Sequence, residues 1–174
     1  HFEEISKITD LPIMAYNIPG RTSTLIELET LQTLVDDIGI HSIKDAVGDF
    51  EFSKKQLELL KDKADIYSGN DNQTYDFVIN GGVGVVSVAS HVVGDEISEM
   101  ISFAKDNDLE KAEEINMQLS NLFESIFEEP SPGPIKKILS ESWEEVGDPL
   151  LPITSVTPEL ANKIRGFYKE IKEI

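Results

Sequence analysis

The chain has 174 residues, 40% of them hydrophobic and 28% charged, with no cysteine and a formal net charge of −18. This length supports one well-cored domain, and the missing cysteines exclude disulfides and thiolate metal sites, which fits a reducing cytoplasm. The acidity, densest between residues 95 and 148, argues against nucleic acid as a partner, and no apolar run approaches the ~20 residues of a membrane span.

The chain opens on His1 within a helix-like stretch, HFEEISKIT, rather than on methionine. A piece of something longer is expected. Four short β-rich runs follow, at residues 11–17, 40–46, 64–69 and 84–89. The segments between them have helical spacing. Leu28, Leu31, Leu34 and Val35 form one apolar stripe, Phe52, Leu57 and Leu60 a weaker one, and residues 72–80 a third helix closed by Gly81-Gly82. Strand and helix alternating at this interval predict βαβ units and a parallel sheet. Beyond Ala89 the strands stop. Ile97, Met100, Ile101 and Ala104 share one helix face, and Ala112, Ile115, Leu119, Leu122, Phe123 and Ile126 line a longer one. A proline-rich break precedes a helix at 135–140, and Thr157-Pro158 has the composition of an N-cap and first turn. Leu160, Ile164, Phe167, Tyr168 and Ile171 form its expected buried stripe. The acidic residues of this tail read as solvated helix faces.

Three residues stand out for chemistry. In the second strand, IHSIKDA, alternation puts Lys44 on the face opposite Ile43, beside Ser42 and Ala46. In a barrel that face is the lumen, a dry setting that suits an imine-forming amine. A strand-end lysine snorkelling to solvent satisfies the same pattern. In the first strand Met14 and Tyr16 share one face, and a phenol at the carboxyl end of a parallel strand lies where α/β folds place active sites. It serves equally well as an amphipathic cap on the core. Arg21 follows a Pro-Gly turn in YNIPGRT, where a guanidinium suits a substrate carboxylate or simply solvent. His1, His41 and His91 have no ligand spacing, so no metal site is expected. GGVG at residues 81–84 lacks the Lys-Ser/Thr of a phosphate loop and reads as a helix C-cap.

YNIPGRT, SIKDA, YSGND and GGVGVVSVASHV, in this order, resemble the dihydrodipicolinate synthase family of pyruvate-dependent class I aldolases and lyases. EPSPGPIKKIL is similar to that family's later proline-rich segment. The resemblance implies the C-terminal half of a (β/α)8 TIM barrel, strands five to eight, followed by an all-helical appendage. Residues 1–94 would be the partial barrel, and residues 95–174 the barrel-closing helix and C-terminal helical region. It further implies that Lys44 forms a Schiff base with pyruvate and that Tyr16 relays protons. Arg21 would hold the carboxylate of L-aspartate 4-semialdehyde, and Gly69 and Val86 would offer backbone groups around the pyruvate. Asn17 and Thr22 belong to the motif without an assigned step. Asp45 stands where the family more commonly has glutamate.

The implied reaction condenses pyruvate with L-aspartate 4-semialdehyde on the route to diaminopimelate and lysine, with no cofactor besides the covalent Schiff base. A homodimer or tetramer is the implied assembly. By the same resemblance, the threonine pair for the pyruvate carboxylate, a second tyrosine and the lysine-feedback residues lie upstream of His1. The chain alone is then half an active site, expected to be inactive. A sister aldolase cleaving a sugar acid, and a decayed barrel kept as an interaction module, are the alternative readings.

Overall fold

A computed structural model describes residues 1–173. It contains two compact units, His1–Val86 and a second beginning at Ser87. The first holds helix α1 (Phe2–Ser6), strand β1 (Met14–Asn17), helices α2 (Pro19–Thr22) and α3 (Leu28–Asp36), strand β2 (Ser42–Asp45), helix α4 (Phe50–Leu59), strand β3 (Asp65–Ser68), a 3-10 turn (Asp71–Gln73), helix α5 (Thr74–Ile79) and strand β4 (Gly84–Val85). The strands run parallel in the order β1-β2-β3-β4. Four parallel strands joined by helices and followed by a helical run are part of a (β/α)8 barrel with a helical appendage.

The two-residue period decides which face of the sheet is covered. Ala15, Ile43 and Ile66 are fully or almost fully buried, and they pack with Leu31, Leu34, Leu57 and Phe77 into one core. Burying one such branched side chain contributes about 1.5–3 kcal/mol. Met14, Tyr16 and Lys44, one residue out of phase, lie on the opposite, inner face, where Met14 and Tyr16 remain exposed and Lys44 is half-buried. Asp49 caps α4 by accepting hydrogen bonds from the Glu51 and Phe52 amides at 3.0 and 3.3 Å. Gly81 takes φ +100° to end α5, so the GGVG stretch is a helix terminus leading into β4.

Several elements differ from the sequence pattern. The first strand loses residues 11–13: Pro12 has no amide hydrogen, and the β1 ladder begins only at Met14 opposite Ser42. The fourth shrinks to Gly84–Val85, because β3 offers it only Tyr67 and Ser68 as partners. Pro19-Gly20 is the start of a one-turn helix rather than a sharp turn, closed by Ser23 in the left-handed region at φ 54°. The helix expected at 72–80 begins as the 3-10 turn, where Ser68 accepts from the Asn70 amide at 3.1 Å and holds the chain back.

The second unit contains α6 (Ser90–Lys105), α7 (Leu109–Ser125), α8 (Gly133–Ser142) and α9 (Pro158–Lys172). α6 packs on α7, and α9 on both α7 and α8. Met100, Leu119, Leu122, Phe123, Ile138 and Ile164 are buried among them. Thr157 caps α9 through the Leu160 amide, and Pro158 occupies its first turn. Phe167, Tyr168 and Ile171 are only half-buried on α9. Among the described residues no helix is long and apolar enough to cross a membrane.

Candidate active site

Tyr16 and Lys44 are partners in the β1–β2 register, and Lys44 is in turn the partner of Tyr67 on β3. All three side chains fall on the inner face by the parity of their strands. The Lys44 Nζ stands 4.2 Å from the centroid of the Tyr16 ring. Sequence reasoning missed Tyr67 as a neighbour of Lys44; the YSGND stretch, read for alternation once the register was known, would have found it.

Gly69, directly after β3, makes room for the lysine. A Cβ placed there would lie 2.8 Å from the Ala46 Cβ, 2.9 Å from the Asp45 carbonyl oxygen and 3.1 Å from the Lys44 Cε. A glycine is therefore required by close approach rather than by a turn. The Gly69 amide donates to the Asp45 carbonyl at 2.6 Å, and the Val86 amide to the Ser68 carbonyl at 2.9 Å. Both N–H groups are engaged by the sheet, so the carbonyl oxygens are what these two residues have to offer.

The strand end carrying Lys44 is fixed from behind. Asp45 is buried, and its carboxylate accepts from the Val47 amide at 2.8 Å and the Ser53 hydroxyl at 2.9 Å. Burial pushes the Asp45 carboxyl above its ordinary range, against the pull of those two donors. The Ala46 amide donates to the Asn17 carbonyl at 2.9 Å, tying the ends of β1 and β2 together.

Arg21 lies in α2, exposed, and pairs with no carboxylate among the described residues. The structure thus brings Tyr16, Lys44 and Gly69 into one cluster, sets Val86 at the end of the next strand, and holds Arg21 on the loop that leaves Tyr16. A concavity of about 940 Å³ lies instead at the amino ends of the strands, lined by His41, Leu60, Ala64, Asp65 and Val83. It is remote from the chemistry-bearing carboxyl ends. No group of three or more potential metal ligands occurs among the described residues. An amine against a phenol, with a cleared approach at a glycine, is suited to carbonyl chemistry through an imine.

Known proteins resemble the chain over nearly all of its length. The 4-hydroxy-tetrahydrodipicolinate synthase of Listeria monocytogenes serotype 4b is 35% identical over 173 residues, covering 99% of this chain and 59% of that protein. Among solved structures, a dihydrodipicolinate synthase from Bacillus anthracis superposes with a TM-score of 0.91 at 36% identity, covering 97% of this chain and 58% of that one. The chloride-inhibited dihydrodipicolinate synthase from Acinetobacter baumannii, complexed with pyruvate, does so with a TM-score of 0.94 at 29% identity, covering 100% and 60%. The chain therefore spans about three-fifths of the length of the relatives it matches. Residues 1–171 match the dihydrodipicolinate synthetase family, and the chain belongs to it.

Proposed function

We propose that this chain supplies the imine-forming part of a 4-hydroxy-tetrahydrodipicolinate synthase. The observation that carries the reading is the Lys44 Nζ held 4.2 Å from the Tyr16 ring on adjacent strands. In the proposed reaction the Lys44 amine adds to the ketone of pyruvate and expels water, giving an iminium. Loss of a methyl proton turns it into an enamine, whose carbon attacks the aldehyde of L-aspartate 4-semialdehyde. The amino group of the second substrate then displaces Lys44 and closes the ring. Tyr16 shuttles protons during addition and dehydration, a role that fits its hydroxyl on the same face. Arg21 holds the carboxylate of the incoming semialdehyde, where a planar fork of donors is well matched.

The pyruvate complex of the Acinetobacter baumannii relative supports pyruvate as the first substrate. The chain spans about three-fifths of its relatives' length, and the 174 residues alone are expected to be inactive. The assembly is proposed to be a homo-oligomer.

The test is reductive trapping in the complete protein. Borohydride added with pyruvate should leave a carboxyethyl group on the peptide carrying Lys44, and Lys44→Ala should abolish it. Label on another lysine, or labelling that persists in Lys44→Ala, would sink the assignment.

A further inference from the structure

The residue after Tyr16 is an asparagine whose side chain is fully buried at the end of β1. Its amide makes two hydrogen bonds with a single residue nine positions on. Nδ2 donates to the Ile26 carbonyl at 2.9 Å, and Oδ1 accepts from the Ile26 amide at 3.0 Å. The Asn17 main-chain carbonyl meanwhile accepts from Ala46, so the residue is locked into the sheet from its other side. Both ends of the loop at residues 18–25 are thereby held at one point. Only a short side chain with a donor and an acceptor side by side can do this. Aspartate would face the Ile26 carbonyl with a second oxygen, and serine would not reach both groups.

Inside that loop lies α2. Four residues are far too few for a helix to hold itself. Thr22 staples it: the hydroxyl lies 3.0 Å from both the Ile18 and Thr24 carbonyls and accepts from the Thr24 amide at 3.3 Å. Arg21, between the two staples, has no ion-pair partner of its own among the described residues. What the two staples fix is the main chain of Arg21, the point from which its guanidinium extends.

We infer that Asn17 and Thr22 are positioning residues that aim Arg21, and through it select the carboxylate-bearing second substrate; this rests on the reading of Arg21 proposed for this site. The side-chain polar groups of both residues are taken up by the loop's own main chain. A misplacement of the order of 1 Å in a binding group is enough to cost a large part of its effect on rate.

The complete protein carrying Asn17→Asp, Thr22→Val, Arg21→Ala, or each of the first two combined with Arg21→Ala, tests this. Asn17→Asp and Thr22→Val should each lower kcat/KM for L-aspartate 4-semialdehyde about tenfold. Borohydride trapping with pyruvate should be unchanged. In the Arg21→Ala background the added loss should vanish, because the residue being aimed is gone. Trypsin should also cut after Arg21 faster in both single variants, in Thr22→Val at unchanged melting temperature. Thr22 is exposed, so its variant decides the matter should Asn17→Asp fail to fold. Losses that add to that of Arg21→Ala, or that fall equally on pyruvate, overturn the inference while leaving the reading of Arg21 standing. If Arg21→Ala itself leaves the semialdehyde kinetics unchanged, that reading has failed, and the inference falls with it.

Discussion

The Nζ of Lys44 lies 4.2 Å from the ring centroid of Tyr16, and the two residues are direct partners in the ladder that joins β1 to β2. The contact uses the ring face and leaves the hydroxyl free of it. Tyr16→Phe therefore keeps the packing and removes the proposed proton carrier. In the complete protein kcat should fall by about 10²–10⁴, the usual range for a lost general acid or base, with little change in pyruvate KM. Steady-state kinetics with pyruvate varied will show it. A weaker pyruvate KM at undiminished kcat would make Tyr16 a structural residue.

Gly69→Ala tests the cleared approach. Of the three atoms its Cβ would meet, the Ala46 Cβ and the Asp45 carbonyl oxygen are fixed to the main chain and cannot swing aside. Only the Lys44 Cε is mobile, so the strain should be relieved by displacing the lysine or parting the strand ends. Overpacking of this kind costs about 1–3 kcal/mol. A lower denaturant midpoint and slower borohydride trapping are both expected. A variant as stable and as readily trapped as the parent would mean that this strand end is slack.

Much of this site is legible in the sequence because strands have a period of two. Once Ile43 and Ala15 are read as core, Lys44 and Tyr16 must face the other way, and the structure has them so. Helix spacing likewise gives Leu31, Leu34 and Val35 as the buried stripe of α3. The lost information is of the kind that pairing creates. Which strand partners which, and in what register, makes Tyr67 a neighbour of Lys44, and no local pattern in YSGND announces it. The amide clamp of Asn17 on Ile26 is equally silent, because a buried asparagine reads in sequence as an ordinary turn residue. Pro19-Gly20 misleads for a related reason. Proline suits the first turn of a helix as well as a β-turn, and only the hydrogen bonds to Ile18 decide between them.

Stability should depend on acid through Glu141. Arg165 donates from Nε and Nη2 to its two carboxylate oxygens, each at 2.7 Å, and Lys137 stands 3.0 Å away. The Arg165 guanidinium first, and Lys137 after it, hold the Glu141 carboxyl down to about 2. Its folded-state value lies below its unfolded one, so the unfolded chain takes up the proton first as pH falls. The contribution is fully present above about 4.5 and is lost on the way down to about 2. The effect is small, since solvent screens a partly exposed pair. Asp45 has the opposite sign: burial raises its carboxyl, so its contribution is present below the ordinary carboxylate range and lost as pH rises through the raised value. Glu141→Gln should flatten the acid limb of an unfolding profile, and Asp45→Asn the descending one. Profiles unchanged in both variants would remove either carboxyl as a determinant.

In the proposed reaction Arg21 carries the choice of second substrate. It stands in the last turn of α2, exposed and without a carboxylate partner among the described residues. Its fork is therefore free to take a ligand's carboxylate, while in the proposed reaction pyruvate is anchored through Lys44. Arg21→Ala should raise the KM for L-aspartate 4-semialdehyde far more than that for pyruvate, and trapping at Lys44 should persist. A charge-assisted contact of this type is worth ~1.5–3 kcal/mol, or about one to two powers of ten in kcat/KM. Arg21→Lys should recover only part of the loss, because an ammonium keeps the charge and gives up the two parallel donors. Kinetics with each substrate varied in turn separate the cases. If both KM values rise together, Arg21 is holding its loop. If the semialdehyde is ignored and a keto-deoxy sugar acid is cleaved to pyruvate, the sister aldolase is the right reading.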